Sequence, residues 1–346
     1  FKDVAMQFVS YLMDHILGKR GQTTTIVGAT SGDTGGAAIE AFRHSSRAQL
    51  VVLFPLGRIS DVQRRMMTTK TENNVHAVAI EGTFDDCQAL VKAMFNDLAF
   101  RDQVRLSGIN SINWGRIVAQ VTYYFVAAVA LGAPFRSIIF SVPTGNFGDI
   151  FAGYVARQMG LPIELLIIGS NQNDILPRTL ETGIYEMRAV QETSSPSMDI
   201  QISSNFERYL FEASDHDAHL VTQQMQLLKT ACRFELSQQQ LGSFRKEFSA
   251  AAISEQGVSD IIKTTLSESN YLLDPHTACG LAAAKKVLSS RSHQNVPLVV
   301  LSTAHPAKFP DTMEQMTGLR PSLPLNMGSL MEDKEKFSIL PNNVLD

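Results

Sequence analysis

Short aliphatic and β-branched runs recur along this chain, each followed by a stretch with helical spacing. This alternation constrains the fold more than any other feature. Residues 23–28, 50–54, 75–80, 137–142 and 163–168 read as buried strands, the second closed by Pro55. Helices are expected at about 34–42, 85–100, 113–131 and 147–159. Strands that are apolar throughout need cover on both faces, and a helix between consecutive strands returns the chain for parallel pairing. The pattern therefore predicts an open α/β fold on mostly parallel sheets. Ahead of the first strand, Ala5, Phe8, Val9, Leu12, Met13, Ile16 and Leu17 repeat at helical spacing from the first turn. Because the chain starts at Phe1 within that helix, it is read as part of a longer protein, cut just upstream of a functional motif.

The second half is less regular. Residues 182–205 are rich in Ser, Thr and Pro and predict an irregular connection. Residues 223–241 are Gln-rich and predict an exposed helix. Order returns with a helix near 275–289, a strand at 298–301 and a loop and helix over 303–316. The tail after Pro321 has weak patterning and is expected to be loosely attached. The chain shows no internal repeat and no low-complexity linker.

Composition excludes several classes. The 346 residues carry 30 basic and 34 acidic side chains, a net charge of -4. Nothing in that balance favours nucleic acid or an anionic membrane. Apolar stretches such as 123–131 fall far short of the ~20 residues a membrane span needs. No signal-peptide pattern opens the chain. Cys87, Cys232 and Cys279 are far apart and form no Cys-x-x-Cys pair, so a zinc cluster or disulfide framework is not expected and a reducing cytoplasm fits.

Two strand-to-helix turns suit an anion. One is Gly28-Ala29-Thr30-Ser31-Gly32-Asp33-Thr34-Gly35-Gly36, the other Pro143-Thr144-Gly145-Asn146-Phe147-Gly148-Asp149. Glycines let backbone N–H groups turn inward, and the following helix N-terminus adds positive potential. Neither loop has the Gly-Lys-Ser/Thr ending of a P-loop, and the glycine spacing is not that of a dinucleotide fold. The second strand ends in Phe54-Pro55, with no acidic residue to hold a ribose. Taken singly, each loop also serves as a tight turn between packed elements.

Six segments together carry a resemblance. They are Phe1-Lys2-Asp3-Val4-Ala5, Ala29-Thr30-Ser31-Gly32-Asp33-Thr34-Gly35, Asn110-Ser111-Ile112-Asn113-Trp114-Gly115-Arg116, Val142-Pro143-Thr144-Gly145-Asn146-Phe147-Gly148-Asp149, Asp274-Pro275-His276-Thr277-Ala278 and Thr303-Ala304-His305-Pro306-Ala307-Lys308-Phe309. In this order, over residues 1–309, they resemble threonine synthase of the long bacterial and fungal type. The resemblance implies a fold-type-II pyridoxal-phosphate (PLP) enzyme, similar to the tryptophan synthase β chain. Such an enzyme has two open, twisted, mostly parallel sheets with flanking helices and the cofactor between two domains. Residues 24–131 would form the smaller mobile domain, and 1–23 with 132–346 the larger PLP-binding one. The family's N-terminal part is absent from this sequence.

The resemblance also implies roles. Lys2 would carry the cofactor, a task suited to a desolvated amine that can lose its charge. Gly145, Asn146, Phe147 and Gly148 would cradle the cofactor phosphate, and Thr303 would face the pyridine nitrogen. Thr30, Ser31 and Thr34 would bind substrate. Asp33 falls where short-type relatives place an asparagine against the cofactor's phenolic oxygen, and an anion there needs a proton or a different contact. Asn110 and Arg116 would hold the substrate phosphate, with a bidentate clamp from the guanidinium. Asn113 and Ser111 would support them. His276 and His305 have no metal-ligand spacing and are read as loop hydrogen-bonding groups. Lys308 would neutralise phosphate or cap a turn, and Trp114 would pack its helix.

The implied reaction converts O-phospho-L-homoserine and water to L-threonine and phosphate by elimination and β-hydration. The alternative is a related phospho-lyase that yields 2-oxobutyrate, phosphate and ammonia. Another fold-type-II dehydratase would not need the Asn110–Arg116 segment, and a cofactor-free binding protein would not need Lys2. A cytoplasmic monomer or homodimer acting on a small molecule is expected.

Overall fold

A computed structural model describes residues 1–109, 113–289 and 295–343. The strands are β1 (Thr24–Ala29), β2 (Ala48–Pro55), β3 (Val75–Glu81), β4 (Leu106–Gly108), β5 (Ile138–Pro143), β6 (Ile163–Ser170), β7 (Ile184–Glu186), β8 (Arg233–Glu235), β9 (Phe248–Ala252), β10 (Leu298–Val300) and β11 (Ser338–Pro341). One sheet runs β11-β3-β2-β1-β4 and another β10-β5-β6-β9, while β7 and β8 form a separate ribbon. Pairing in the two larger sheets is parallel, and the ribbon is antiparallel. The α/β fold with parallel sheets expected from the alternation is present.

Packing divides the chain into two units. The first comprises Phe1–Arg116, Ala307–Pro310 and Arg320–Asp346, the second Ile117–Pro306 and Asp311–Leu319. The sequence reading placed residues 1–23 with the larger body. By packing they group with the first unit, because Met6 and Val9 fill the same core as Ile26 and Leu50.

In the first unit, the two-residue period of the strands decides which side chains meet which helix. Ile26, Leu50, Val52, Phe54, Ala77 and Ala79 share one core with the helices Lys2–Arg20 and Asp33–Phe42. Their neighbours Val27, Leu53, Val78 and Ile80 point the other way, onto Cys87, Leu90 and Val91 of the helix Phe84–Asn96. Each fully buried aliphatic or aromatic side chain contributes roughly 2–3 kcal/mol over exposure. The tail corrects the sequence reading. Far from loose, it adds β11 to the edge of β3, sets Phe337 against Phe54, and fixes Glu335 to Arg64 at 2.9 Å. The helix Asp61–Thr68 was also not foreseen.

In the second unit, β5 is buried along its whole length. The helix Pro275–Leu288 lies close to this sheet because two glycines meet there. A Cβ on Gly169 would come within 2.9 Å of the Gly280 Cα, and one on Gly280 within 3.0 Å of Pro143. Residues 182–205 are mostly irregular, as expected, though they include β7. The expected single surface helix over 223–241 is instead the helix Ala218–Ala231, β8, and the helix Gln238–Glu247. Nor are all its glutamines exposed. Gln224 and Gln240 are buried and exchange hydrogen bonds of 2.8 and 3.1 Å, which satisfies amides that polarity alone would place in water.

Candidate functional site

In the first unit, the chemistry gathers where β1 passes into the helix Asp33–Phe42. Thr30 is buried, and its Oγ1 accepts hydrogen bonds from the N–H groups of Gly32 at 3.0 Å and Gly35 at 2.9 Å. Its first task is therefore to shape the loop. Gly32 sits at φ 126, open to glycine alone, and a Cβ on Gly35 would lie 2.4 Å from the Met67 sulfur. Ser31 and Thr34 are half-buried, with hydroxyls that have no protein partner among the described residues.

Asp33 opens the helix and is buried, where the helix N-terminus favours its charge. Lys308 Nζ lies 3.1 Å from one carboxylate oxygen, and Lys2 Nζ lies 3.9 Å from the other. Gln63 Nε2 donates to Asp33 at 3.2 Å. The same Gln63 closes a capping box with Ser60, and the Ser60 hydroxyl donates to the Lys308 carbonyl at 2.7 Å. The helix Asp61–Thr68 thus positions both Asp33 and Lys308. Lys308 is not a lone surface cation. Its amine holds Asp33, and Asp33 holds Lys2.

Arg116 is buried, which removes the helix-surface reading, and its Nη1 donates to the Ile109 carbonyl at 3.0 Å. Asn113 Oδ1 accepts from Gly115 N–H at 2.9 Å, so it caps the helix Trp114–Ala130. Trp114 is 47% exposed and is not a core residue. Asn110, Ser111 and Ile112 lie outside the described residues.

In the second unit, β5 leads into the loop 144–147 and then the helix Gly148–Gln158. Phe147 adopts φ 63 and ψ -1, left-handed geometry that turns the chain into the helix. Its side chain is fully buried among Phe206, Phe244 and Phe248, so only its backbone can meet a ligand. Gly145 has Ser197 O 2.8 Å from where a Cβ would stand. Among the described residues, the N–H groups of Gly145, Asn146 and Phe147 donate to no protein acceptor.

Behind β5 lies a buried polar group not foreseen as a unit. Asp274 caps the helix Pro275–Leu288, accepting from the N–H groups of His276 and Thr277. Its carboxylate also binds the Thr277 hydroxyl and meets His276 Nδ1 at 3.2 Å. Burial opposes this charge, but the bonds from His276 and Thr277 outweigh it and hold the Asp274 carboxyl below its ordinary range. Ser197 N–H donates to His276 Nε2 at 3.3 Å, so the ring proton belongs on Nδ1, facing Asp274. Thr277 Oγ1 accepts from the Thr303 N–H at 3.3 Å, which ties the half-buried Thr303 to this network. His276 is thus a hydrogen-bonding group in the first turn of that helix, and not in a loop as the sequence reading had it, while His305 is exposed. Among the described residues, no group of three or more His, Cys, Asp or Glu side chains could hold a metal ion.

Residues 1–234 match the family model described as pyridoxal-phosphate dependent enzyme, and residues 277–346 the model described as threonine synthase, C-terminal. The two matches cover most of the chain, and the first defines the class: a PLP-dependent enzyme. A threonine synthase of Pseudomonas aeruginosa is 47% identical over 345 residues, covering 99% of this chain and 73% of that protein. The threonine synthase of Saccharomyces cerevisiae is 41% identical, covering 98% and 71%. The structure of a PLP-bound threonine synthase from Brucella melitensis superposes with a TM-score of 0.96 at 56% identity, covering 100% of this chain and 74% of that one. The chain belongs to the threonine synthase family.

The residues present fit that cofactor. A phosphate needs several convergent donors, and the 145–147 loop offers backbone N–H groups with no protein partner, followed by a helix N-terminus. A carrier lysine needs a setting that lets it shed charge; the Asp33 carboxylate alone would favour the Lys2 ammonium, and the nearer Lys308 amine offsets that by sharing the same carboxylate.

Proposed function

We propose that the protein converts O-phospho-L-homoserine and water to L-threonine and phosphate. The observation that carries this reading is the Lys2–Asp33–Lys308 cluster, since it places a motif lysine beside a buried acid whose charge a second lysine also balances. Bound PLP supplies delocalisation of negative charge developed at the substrate α-carbon. The protein's residues do the rest. Lys2 holds the cofactor and moves protons at the α- and β-carbons. Because Lys308 also compensates Asp33, Lys2 can give up its proton without leaving a bare buried carboxylate. Gly145, Asn146, Phe147 and Gly148 hold the cofactor phosphate through backbone donors. Thr303 offers a hydroxyl, not a charge, to the pyridine nitrogen. Ser31 and Thr34 hydroxyls orient the substrate, with Thr30 shaping their loop. Arg116 and Asn110 hold the substrate phosphate.

The cytoplasm is the proposed compartment, consistent with three unpaired cysteines, of which Cys279 is held as a thiol by burial that pushes it up to about 12. A monomer or homodimer is proposed. The test is incubation of the full-length protein with O-phospho-L-homoserine and product identification by NMR. Threonine and phosphate are expected, whereas 2-oxobutyrate and ammonia would replace this reading with the phospho-lyase one. Lys2→Ala should abolish turnover and remove the borohydride-fixed cofactor from the peptide that contains residue 2.

A further inference from the structure

We infer that Ser203 and Asn205 are positioning residues that aim the phosphate-binding N–H groups of the 145–147 loop. The inference rests on the reading of that loop as the cofactor phosphate cradle. Ser203 Oγ donates to the Gly145 carbonyl at 2.7 Å. Asn205 donates twice to the Asn146 carbonyl, from its backbone N–H at 3.0 Å and its side-chain Nδ2 at 3.0 Å. Both side chains are buried, Ser203 at 3% and Asn205 at 0% exposure.

A trans peptide unit carries its C=O and N–H in opposite directions. The Gly145 carbonyl and the Asn146 N–H belong to one such unit, and the Asn146 carbonyl and the Phe147 N–H to the next. Pinning the two carbonyls toward residues 203–205 therefore turns the two N–H groups the opposite way. These are N–H groups that no acceptor among the described residues takes. Left alone, a glycine-containing loop could rotate these peptide planes and lose the convergence of its donors.

The pins are themselves anchored. Ser203 N–H donates to the Tyr185 hydroxyl oxygen at 2.7 Å, and the Tyr185 ring stacks on Phe206 and Phe234. Phe206 in turn meets Phe147 at 5.3 Å between ring centroids. Asn205 Oδ1 accepts from Arg208 Nε at 3.2 Å, which fixes its amide so that Nδ2 faces Asn146. An irregular segment thus gains rigidity from the aromatic core beside it and passes it to the cradle.

The test compares binding of PLP and of pyridoxal, which lacks the phosphate, to apo-protein of the full chain. Ser203→Ala is expected to weaken PLP roughly tenfold, the loss of one buried hydrogen bond, while pyridoxal changes little. Ser203→Thr, which keeps the hydroxyl, should recover most of the difference. The phosphorus NMR signal of the bound cofactor should move in Ser203→Ala and return in Ser203→Thr. Asn205→Ala gives a second probe should Ser203→Ala fold poorly, since its backbone N–H remains and a partial loss is expected. Equal weakening of PLP and pyridoxal, or no weakening of either, overturns the inference while leaving the cradle assignment intact. A wild-type protein that binds pyridoxal as tightly as PLP overturns the cradle itself.

Discussion

At the scale of single residues, the decisive group is a carboxylate. Asp33 was read from the sequence as a contact to the cofactor ring, with the difficulty that an anion suits that place poorly. The structure surrounds it with Lys2, Lys308 and the neutral Gln63, so its charge has partners from within the chain. Lys308→Met would leave Lys2 as the nearer cation and remove a like charge from its vicinity. Both changes hold the Lys2 proton more firmly. The acid limb of kcat/KM against pH should move up, and Lys308→Arg should restore it. A profile unmoved in Lys308→Met would refute this role. Asp274 gives a stability prediction with a defined sign. Its folded-state pKa is depressed, so its contribution is present above the ordinary carboxylate range and is lost as pH falls through the lowered value. Asp274→Asn should cost about 2–3 kcal/mol at neutral pH by urea unfolding, and the gap to wild type should close in strong acid. The Asp274 cap is local, an Asp just ahead of a Pro at a helix start, but the partners of Asp33 were not legible in the sequence. Positions 33 and 308 are separated by 275 residues, and spacing along a chain carries no record of such a meeting.

At the scale of elements, the strands and main helices were legible because burial on both faces leaves a continuous apolar run, and helical cover leaves a periodic one. The misses have physical causes too. The helix Asp61–Thr68 lacks an apolar stripe of useful length, yet its Ser60-x-x-Gln63 box was available as a signal. The tail has too few apolar residues to announce a strand, and it is held by an edge and a few anchors. Phe337→Ala should lower stability by about 2 kcal/mol and speed proteolysis of the last segment. The Gln224 and Gln240 amides exchange two buried hydrogen bonds, so removing one leaves its partner with fewer bonds in a buried place. Gln224→Leu should cost about 1–3 kcal/mol, and the double change to leucine should recover much of that loss by the same chemical-denaturation measurement. A double variant no better than the single one would mean that their other bonds, to the Glu235 and Leu210 carbonyls and from the Ser237 N–H, outweigh the mutual pair.

For the whole molecule, a ligand that binds the folded chain and not the unfolded one raises its stability by mass action. PLP at a hundred times its dissociation constant should add about 2.7 kcal/mol, seen as a rise in the thermal midpoint that depends on cofactor concentration. Lys2→Ala should lose much of that rise. The sequence by itself determined the class of fold, because the periods of its apolar residues dictate which segments are strands and which are helices. Its motifs, through resemblance, named the family and the loops that matter. Only the tertiary structure decided how those loops are held: Ser60 and Gln63 behind Asp33 and Lys308, Ser203 and Asn205 behind the 145–147 loop, Thr277 between Asp274 and Thr303. Periodicity is a local property that a short window of chain can express. A hydrogen bond between distant polar side chains is set by where the packed elements bring them, and it leaves no local trace.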